Sequence, residues 1–91
     1  MIGEKLKELR EAQGMLQRQV AAELDVDTAY ISKMENNEKP VSRTHIKKLS
    51  HLYNVPSEEL LTIWLANKIL KTIENEKYKQ EALKLALKTI K

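Results

Sequence analysis

Few side chains in this sequence of 91 residues could carry out catalytic chemistry. The chain has no cysteine, which excludes disulfides, thiolate metal sites and a cysteine nucleophile. His45 and His51 have no paired carboxylates at the spacing that metal ligands require, so a metal site is poorly supported. The two glycines, Gly3 and Gly14, are too few for a phosphate-binding glycine loop. The sequence therefore predicts neither an enzyme nor a bound metal or other cofactor.

Residues suited to binding collect on one side of the segment between Thr28 and Asn36. At helical spacing, Ile31 and Met34 share one side, which is predicted to be buried. The other side carries small and polar residues and one cation: Thr28, Ala29, Ser32, Lys33 and Asn36. Such a face can form hydrogen bonds with a partner, although in isolation it also resembles an ordinary solvated helix face.

The charge of the chain is only mildly biased towards cations. The net charge is +3 and the sequence pI is about 9.2, which suits a polyanionic partner. Residues 1–56 carry nine Lys or Arg and eight Asp or Glu, whereas residues 57–91 carry seven and five. Because neither part is a basic tail, binding to a polyanion would need individually placed contacts.

The spacing of apolar residues predicts an all-α protein of one domain. The first helix ends near Ala12, just before the stop signal at Gly14. The predicted helices lie over residues 2–12, 17–24, 28–36 and 43–53, followed by one that begins at residue 57 with apolar residues to 73, and one over 78–90. There is no strand pattern and no repeat.

Several residues are predicted to define the helix ends. Asp25 lies at the sharp turn after the second helix and tolerates a left-handed backbone better than most residues. Asp27 and Ser42 are expected to cap the third and fourth helices with their side-chain oxygens. Ser57, followed by two glutamates, marks the start of the fifth helix.

Residues 17–36 resemble the helix-turn-helix of the Cro/repressor-like XRE regulators. The shared pattern is glutamine at the start of the second helix, Val-Ala in its middle, Leu-x-Val across the turn, and Ile-Ser-Lys-Met-Glu-Asn in the third helix. With Arg10 upstream and Pro40 downstream, the resemblance extends over residues 2–61. The family usually has glycine where this chain has Asp25. As a whole, the chain also resembles the short controller regulators found beside restriction-modification genes.

This resemblance implies a five-helix repressor-like bundle with a helix-turn-helix in residues 1–61, and it leaves residues 62–91 as a C-terminal helical extension. It implies a transcriptional regulator whose partner is double-stranded DNA. It also implies that Arg10 and Glu35 pair inside the fold and tie the first helix to the end of the third.

The expected DNA contacts fall into two groups. Lys33 can donate to guanine O6 and N7, and Thr28 or Ala29 can touch a thymine methyl. The residues expected to contact bases are Thr28, Ala29, Ser32 and Lys33. Gln17 can offer its amide and the free N–H groups at the start of the second helix to a phosphate. The residues expected to contact phosphates are Gln17, Arg18, Tyr30, Asn36, Asn37, Lys39 and Arg43.

The C-terminal extension has more apolar residues than one helix packed on a small bundle can bury. Leu83, Leu87 and Ile90 of the last helix are expected to cover part of this surface. The apolar surface that stays uncovered predicts a two-fold homodimer, because soluble monomers seldom keep so large an apolar patch. The expected interface residues are Leu61, Trp64, Leu65, Ile69, Leu70 and Ile73, with Trp64 either in the core or at the interface.

Two other functions remain open on the sequence alone. The extension could bind a toxin, which would make the chain an antitoxin that also binds DNA. The bundle could also be a protein-interaction module that does not bind DNA, which the small net charge of residues 1–56 favours. The N-terminus lacks an apolar signal segment and no run of residues is long enough to span a membrane, so a cytoplasmic protein is expected.

Overall fold

Six α-helices form the chain in the computed structural model, which describes residues 1–90. Within that range there is no strand, and no helix has the length and apolar character needed to cross a membrane. The helices are α1 (Ile2–Ala12), α2 (Gln17–Leu24), α3 (Thr28–Glu35), α4 (Arg43–Leu52), α5 (Ser57–Ile73) and α6 (Lys79–Thr89). The predicted all-α class is confirmed, and the helix ends agree with the prediction to about one residue.

The first five helices surround one apolar core. α3 packs against both α1 and α2, while α5 packs against α1 and α4. Each of the five contributes at least one side chain with no solvent exposure: Leu6, Val20, Ile31, Leu49 and Leu60. Removing these side chains from water is the main favourable term in folding. This burial fixes one side of α3 against the core and leaves the opposite side exposed to solvent.

The turn between α2 and α3 depends on a left-handed residue, as predicted. Asp25 has φ 56° and ψ 49°. The next residue, Val26, donates its backbone N–H to the carbonyl oxygen of Ala21 at 3.0 Å. Ala21 is itself buried, so its small side chain allows α2 to pack closely within the bundle. The sharp change of direction thus arises without the glycine that is usual in the family.

The two predicted side-chain caps have different outcomes. The Ser42 cap is confirmed, because its hydroxyl accepts the backbone N–H of His45 at 3.1 Å. The Asp27 cap is wrong, since its carboxylate accepts no hydrogen bond from α3 although its backbone is extended as in a capping residue. Asp27 is exposed, so its carboxylate is solvated by water and does not need hydrogen bonds from the helix amides. The N-terminal turn of α3 therefore lacks a side-chain cap.

Gly3 lies where α1 comes closest to the C-terminal end of α3. A Cβ atom at this position would be 2.5 Å from the carbonyl oxygen of Glu35 and 2.6 Å from Oδ1 of Asn37. Asn37, with φ 61°, accepts the Gly3 N–H at 3.0 Å and donates its amide to Glu4 at 2.9 Å. The missing side chain of Gly3 therefore allows Asn37 to join the two helices.

Tyr53 places a hydroxyl group in the core, where it has no hydrogen-bond partner among residues 1–90. The residue is only 1% exposed. Burial, together with the nearby Glu35 carboxylate, raises the pKa of the Tyr53 phenol well above its ordinary value of 10.0. The folded protein therefore keeps this phenol protonated at a pH where the unfolded chain releases the proton.

Replacing the hydroxyl should therefore not weaken the fold. Tyr53→Phe is expected to leave the free energy of unfolding near neutral pH unchanged or to raise it by about 1–3 kcal/mol, because an unpaired buried group is removed. Above pH 10, only the wild type should lose stability through this group as the pH rises towards the raised folded pKa. Urea unfolding of both proteins near neutral pH and at alkaline pH tests this, with the exposed Tyr78→Phe as the control. Clear destabilisation of Tyr53→Phe near neutral pH would contradict it.

The last helix leaves α5 largely uncovered. No residue of α6 is buried, and Leu87 and Ile90 are 69% and 73% exposed. The expectation that they cover α5 is wrong. The first half of α6 lines a cleft of about 510 Å³ beside α5, and Leu83, Leu70 and Ile73 all contribute to its wall. Because α6 meets α5 only near its own beginning, its later residues extend away from the bundle.

Candidate nucleic-acid interface

The exposed side of α3 brings together the four residues expected to contact bases. Thr28, Ala29 and Lys33 are exposed and Ser32 is partly exposed. Their positions along the helix place all four on one face. The opposite face buries Ile31, Met34 and Glu35. The backbone of α3 is therefore anchored from behind, while its polar face is open to a partner.

Behind this face, Arg10 and Glu35 form an ion pair that joins α1 to α3. Arg10 Nε donates to Glu35 Oε2 at 2.7 Å, and Nη2 donates to Oε1 at 3.1 Å. The third donor, Nη1, bonds the carbonyl oxygen of Met15 at 2.9 Å. The Glu35 side chain is 2% exposed, and its hydrogen bonds raise the pKa of Arg10 above the ordinary value. This bidentate pair holds the last turn of α3 in place.

Gln17 also binds the Glu35 carboxylate. Its Nε2 donates to Oε1 at 3.1 Å, and the side chain is only half-exposed. This bond uses one of the two N–H donors of the amide, so donation to a phosphate by the other stays a prediction. The backbone N–H groups of the first turn of α2 still offer a helix N-terminus to an anion.

Two other expected phosphate contacts are likewise engaged within the fold. The Tyr30 hydroxyl donates to the carbonyl oxygen of Pro40 at 3.0 Å, and its ring meets His45 edge-on with centroids 5.8 Å apart. The Asn37 amide bonds α1, as described above. A phosphate accepts hydrogen bonds, so the Tyr30 hydroxyl would have to give up its present partner to bind one, whereas the Asn37 amide keeps a second N–H that can donate. Tyr30 therefore supports the loop after α3, and the phosphate contact of Asn37 stays a prediction.

The remaining residues expected to contact phosphates carry polar groups at the surface. They are exposed and comprise Arg18, Asn36, Lys39 and Arg43. Among residues 1–90, none of the three cations in this set takes part in an ion pair. The Arg43 guanidinium lies 5.0 Å from the centre of the Trp64 ring. These cations are therefore available to an anionic ligand.

Of the two positions expected for Trp64, the structure places it in the core of the protomer. It is 7% exposed, and its Nε1 donates to the carbonyl oxygen of Val41 at 2.6 Å. The indole N–H thus finds its partner in the loop before α4, and the place of Trp64 near a dimer interface stays a prediction. Lys68, which was not expected near this site, lies with Nζ 4.1 Å from the same ring. Lys68 follows Trp64 by four residues, which places the two side chains on the same side of a helix, so the sequence could have indicated this contact.

Comparison with known proteins identifies this arrangement of helices. The helix-turn-helix family model matches residues 6–60. The chain belongs to the XRE-type helix-turn-helix family. The match covers the whole of α2, α3 and α4, so the resemblance predicted from residues 17–36 is confirmed.

Two curated relatives of this helix-turn-helix protein align with about two thirds of the chain. The propionyl-CoA carboxylase regulator of Cereibacter sphaeroides is 38% identical over 60 residues, which make up 66% of this chain and 13% of that regulator. Control protein C.MunI of a Mycoplasma species is 36% identical over 61 residues, 66% of this chain and 82% of that protein. The chain thus spans a small part of the first relative and most of the second. No solved structure matches it significantly.

Proposed function

We propose that this protein is a sequence-specific transcriptional regulator that binds a near-palindromic DNA operator as a homodimer. The observation that carries the proposal is the exposed polar face of α3, held from behind by the Arg10–Glu35 pair within a matched helix-turn-helix. The names of both relatives, a regulator and a control protein, agree with a regulatory role.

In this proposal α3 enters the major groove, as the second helix of such a motif does. Lys33 donates to guanine, and Thr28, Ala29 and Ser32 contact neighbouring base edges. The exposed cations and the N-terminus of α2 contact phosphates on either side, which sets the orientation of α3 without selecting the sequence.

The dimer is supported by the apolar residues that a single protomer leaves exposed. Leu65, Ile69 and Leu70 of α5 are 43–49% exposed, and Leu85 and Leu87 of α6 are more so. A two-fold axis through α5 and α6 would cover these residues and present two copies of α3 to successive major grooves, roughly 34–36 Å apart. Of the other residues predicted at the interface, Leu61 and Ile73 are partly exposed and Trp64 is buried in the protomer.

The proposal is tested by selecting bound sequences from a random DNA pool with the full chain, followed by mobility-shift assays at two salt concentrations. We expect a selected motif with two related half-sites and an affinity that falls steeply with salt, because phosphate contacts release counterions. Failure to bind any duplex, even at low salt, would contradict DNA binding and favour the protein-interaction module.

A single lysine on α3 should separate base reading from phosphate contact. Lys33→Ala is expected to weaken binding to the selected operator by roughly 1–3 kcal/mol and to relax preference at one base pair of each half-site. Arg18→Ala, the matched exposed cation on α2, should instead weaken all sequences similarly. Titrations against operator and random duplex measure both effects. Unchanged operator affinity for a folded Lys33→Ala would reject the assigned role.

A further inference from the structure

A groove of about 440 Å³ lies between the loop that follows α3 and the middle of α5. Trp64 contributes to its wall, and its charged lining residues are Lys39, Lys68, Lys71 and Glu38. The lining of the groove therefore carries three cations and one carboxylate. The family match ends at residue 60, so Lys68 and Lys71 lie outside the part of the chain that the family model describes.

The groove is continuous with the proposed DNA-binding surface at two points. Lys39 belongs to both, since it lines the groove and is exposed in the loop after α3. Arg43, at the start of α4, lies 5.0 Å from the Trp64 ring, and Lys68 lies 4.1 Å from the same ring. One aromatic side chain thus contacts both a cation of α5 and a cation of the helix-turn-helix region.

The position of Trp64 is rigid, because its ring is buried and its N–H is bonded to Val41. Cation–π attraction to this ring orients Arg43 and Lys68. Among residues 1–90, neither cation forms an ion pair, so no carboxylate neutralises either of them. Charge-assisted hydrogen bonds to phosphate suit both groups, so each is available to a phosphate anion.

We infer that Lys68, with Lys71 beside it, contacts the phosphate backbone of DNA and extends the binding surface from the helix-turn-helix onto α5. This inference rests on the proposed DNA-binding function and adds a contact outside the helix-turn-helix motif. The ligand is a DNA phosphate near those proposed for Lys39 and Arg43, because Lys39 lines the same groove as Lys68 and Arg43 contacts the same tryptophan ring.

The test uses the full chain and a fluorescent duplex of random sequence, with the dissociation constant measured over a series of salt concentrations. Each phosphate contact contributes about 0.9 to the slope of log affinity against log salt. Lys68→Gln should therefore reduce the magnitude of this slope by about 0.9 per bound protomer, and it should weaken binding roughly fivefold to tenfold at moderate salt. Lys68→Arg should retain the slope of the wild type.

Lys7→Gln is the matched control, since it removes the same charge from an exposed position on α1 outside the groove. The emission spectrum of the single tryptophan, Trp64, shows whether the surroundings of its ring are unchanged in each variant. An equal slope for Lys68→Gln and Lys7→Gln, with the wild type binding DNA, would overturn the inference and leave the proposed function intact. A wild type that binds no duplex would overturn the proposed function itself.

Discussion

Arg10→Ala is expected to lower the free energy of unfolding by about 3–5 kcal/mol, the range for breaking a buried ion pair by removing one partner. The guanidinium supplies three hydrogen bonds, two to Glu35 and one to the carbonyl oxygen of Met15. In the variant, the Glu35 carboxylate would retain the single hydrogen bond from Gln17 in a site that is almost closed to water. The large cost arises mainly from this isolated buried charge.

Urea unfolding of the full chain measures the effect, with Arg18→Ala as the control because Arg18 is exposed and has no ion pair among the described residues. Arg10→Ala/Glu35→Ala should be less destabilised than the sum of the two single variants, since neither charge is left alone. Equal stability of Arg10→Ala and Arg18→Ala would show that the pair contributes nothing to the fold.

Ile69→Glu is expected to convert the proposed dimer to a monomer and to weaken binding to the selected operator roughly 10²–10⁴-fold, the usual gain from linking two binding sites. Ile69 is 49% exposed in the protomer, so a charge at this position is tolerated by the isolated fold. In a dimer built on α5, the same charge would be buried without a partner.

Sedimentation equilibrium gives the oligomeric state, and titration with the operator gives the affinity. Ala12→Glu adds the same charge at an exposed position on α1 and should remain dimeric. Ile69→Leu should also remain dimeric, because it keeps the apolar surface. Either a monomeric wild type or a monomeric Ile69→Glu with undiminished operator affinity would refute the proposed assembly.

Interactions between residues close in the chain could be predicted from the sequence. The helices follow the spacing of apolar residues, and Ser42 caps α4 through a residue three positions away. The left-handed turn at Asp25 is likewise a property of one residue and its neighbours. These features depend on a few adjacent dihedral angles and on which side chains must leave water, so short segments contain the necessary information.

The tertiary structure decided which polar groups have hydrogen-bond partners within the fold. Asn37, Tyr30 and Gln17 have side chains suitable for phosphate, yet each bonds a partner that only the packed helices bring near. Trp64 is a further example, because its indole N–H bonds the carbonyl oxygen of Val41, which lies 23 residues away along the chain. Which donor meets which acceptor depends on the relative placement of whole helices, and that placement follows from the burial of the entire core. Short segments specify a helix and its apolar side, whereas the partner of a polar group is set by contacts distant in sequence.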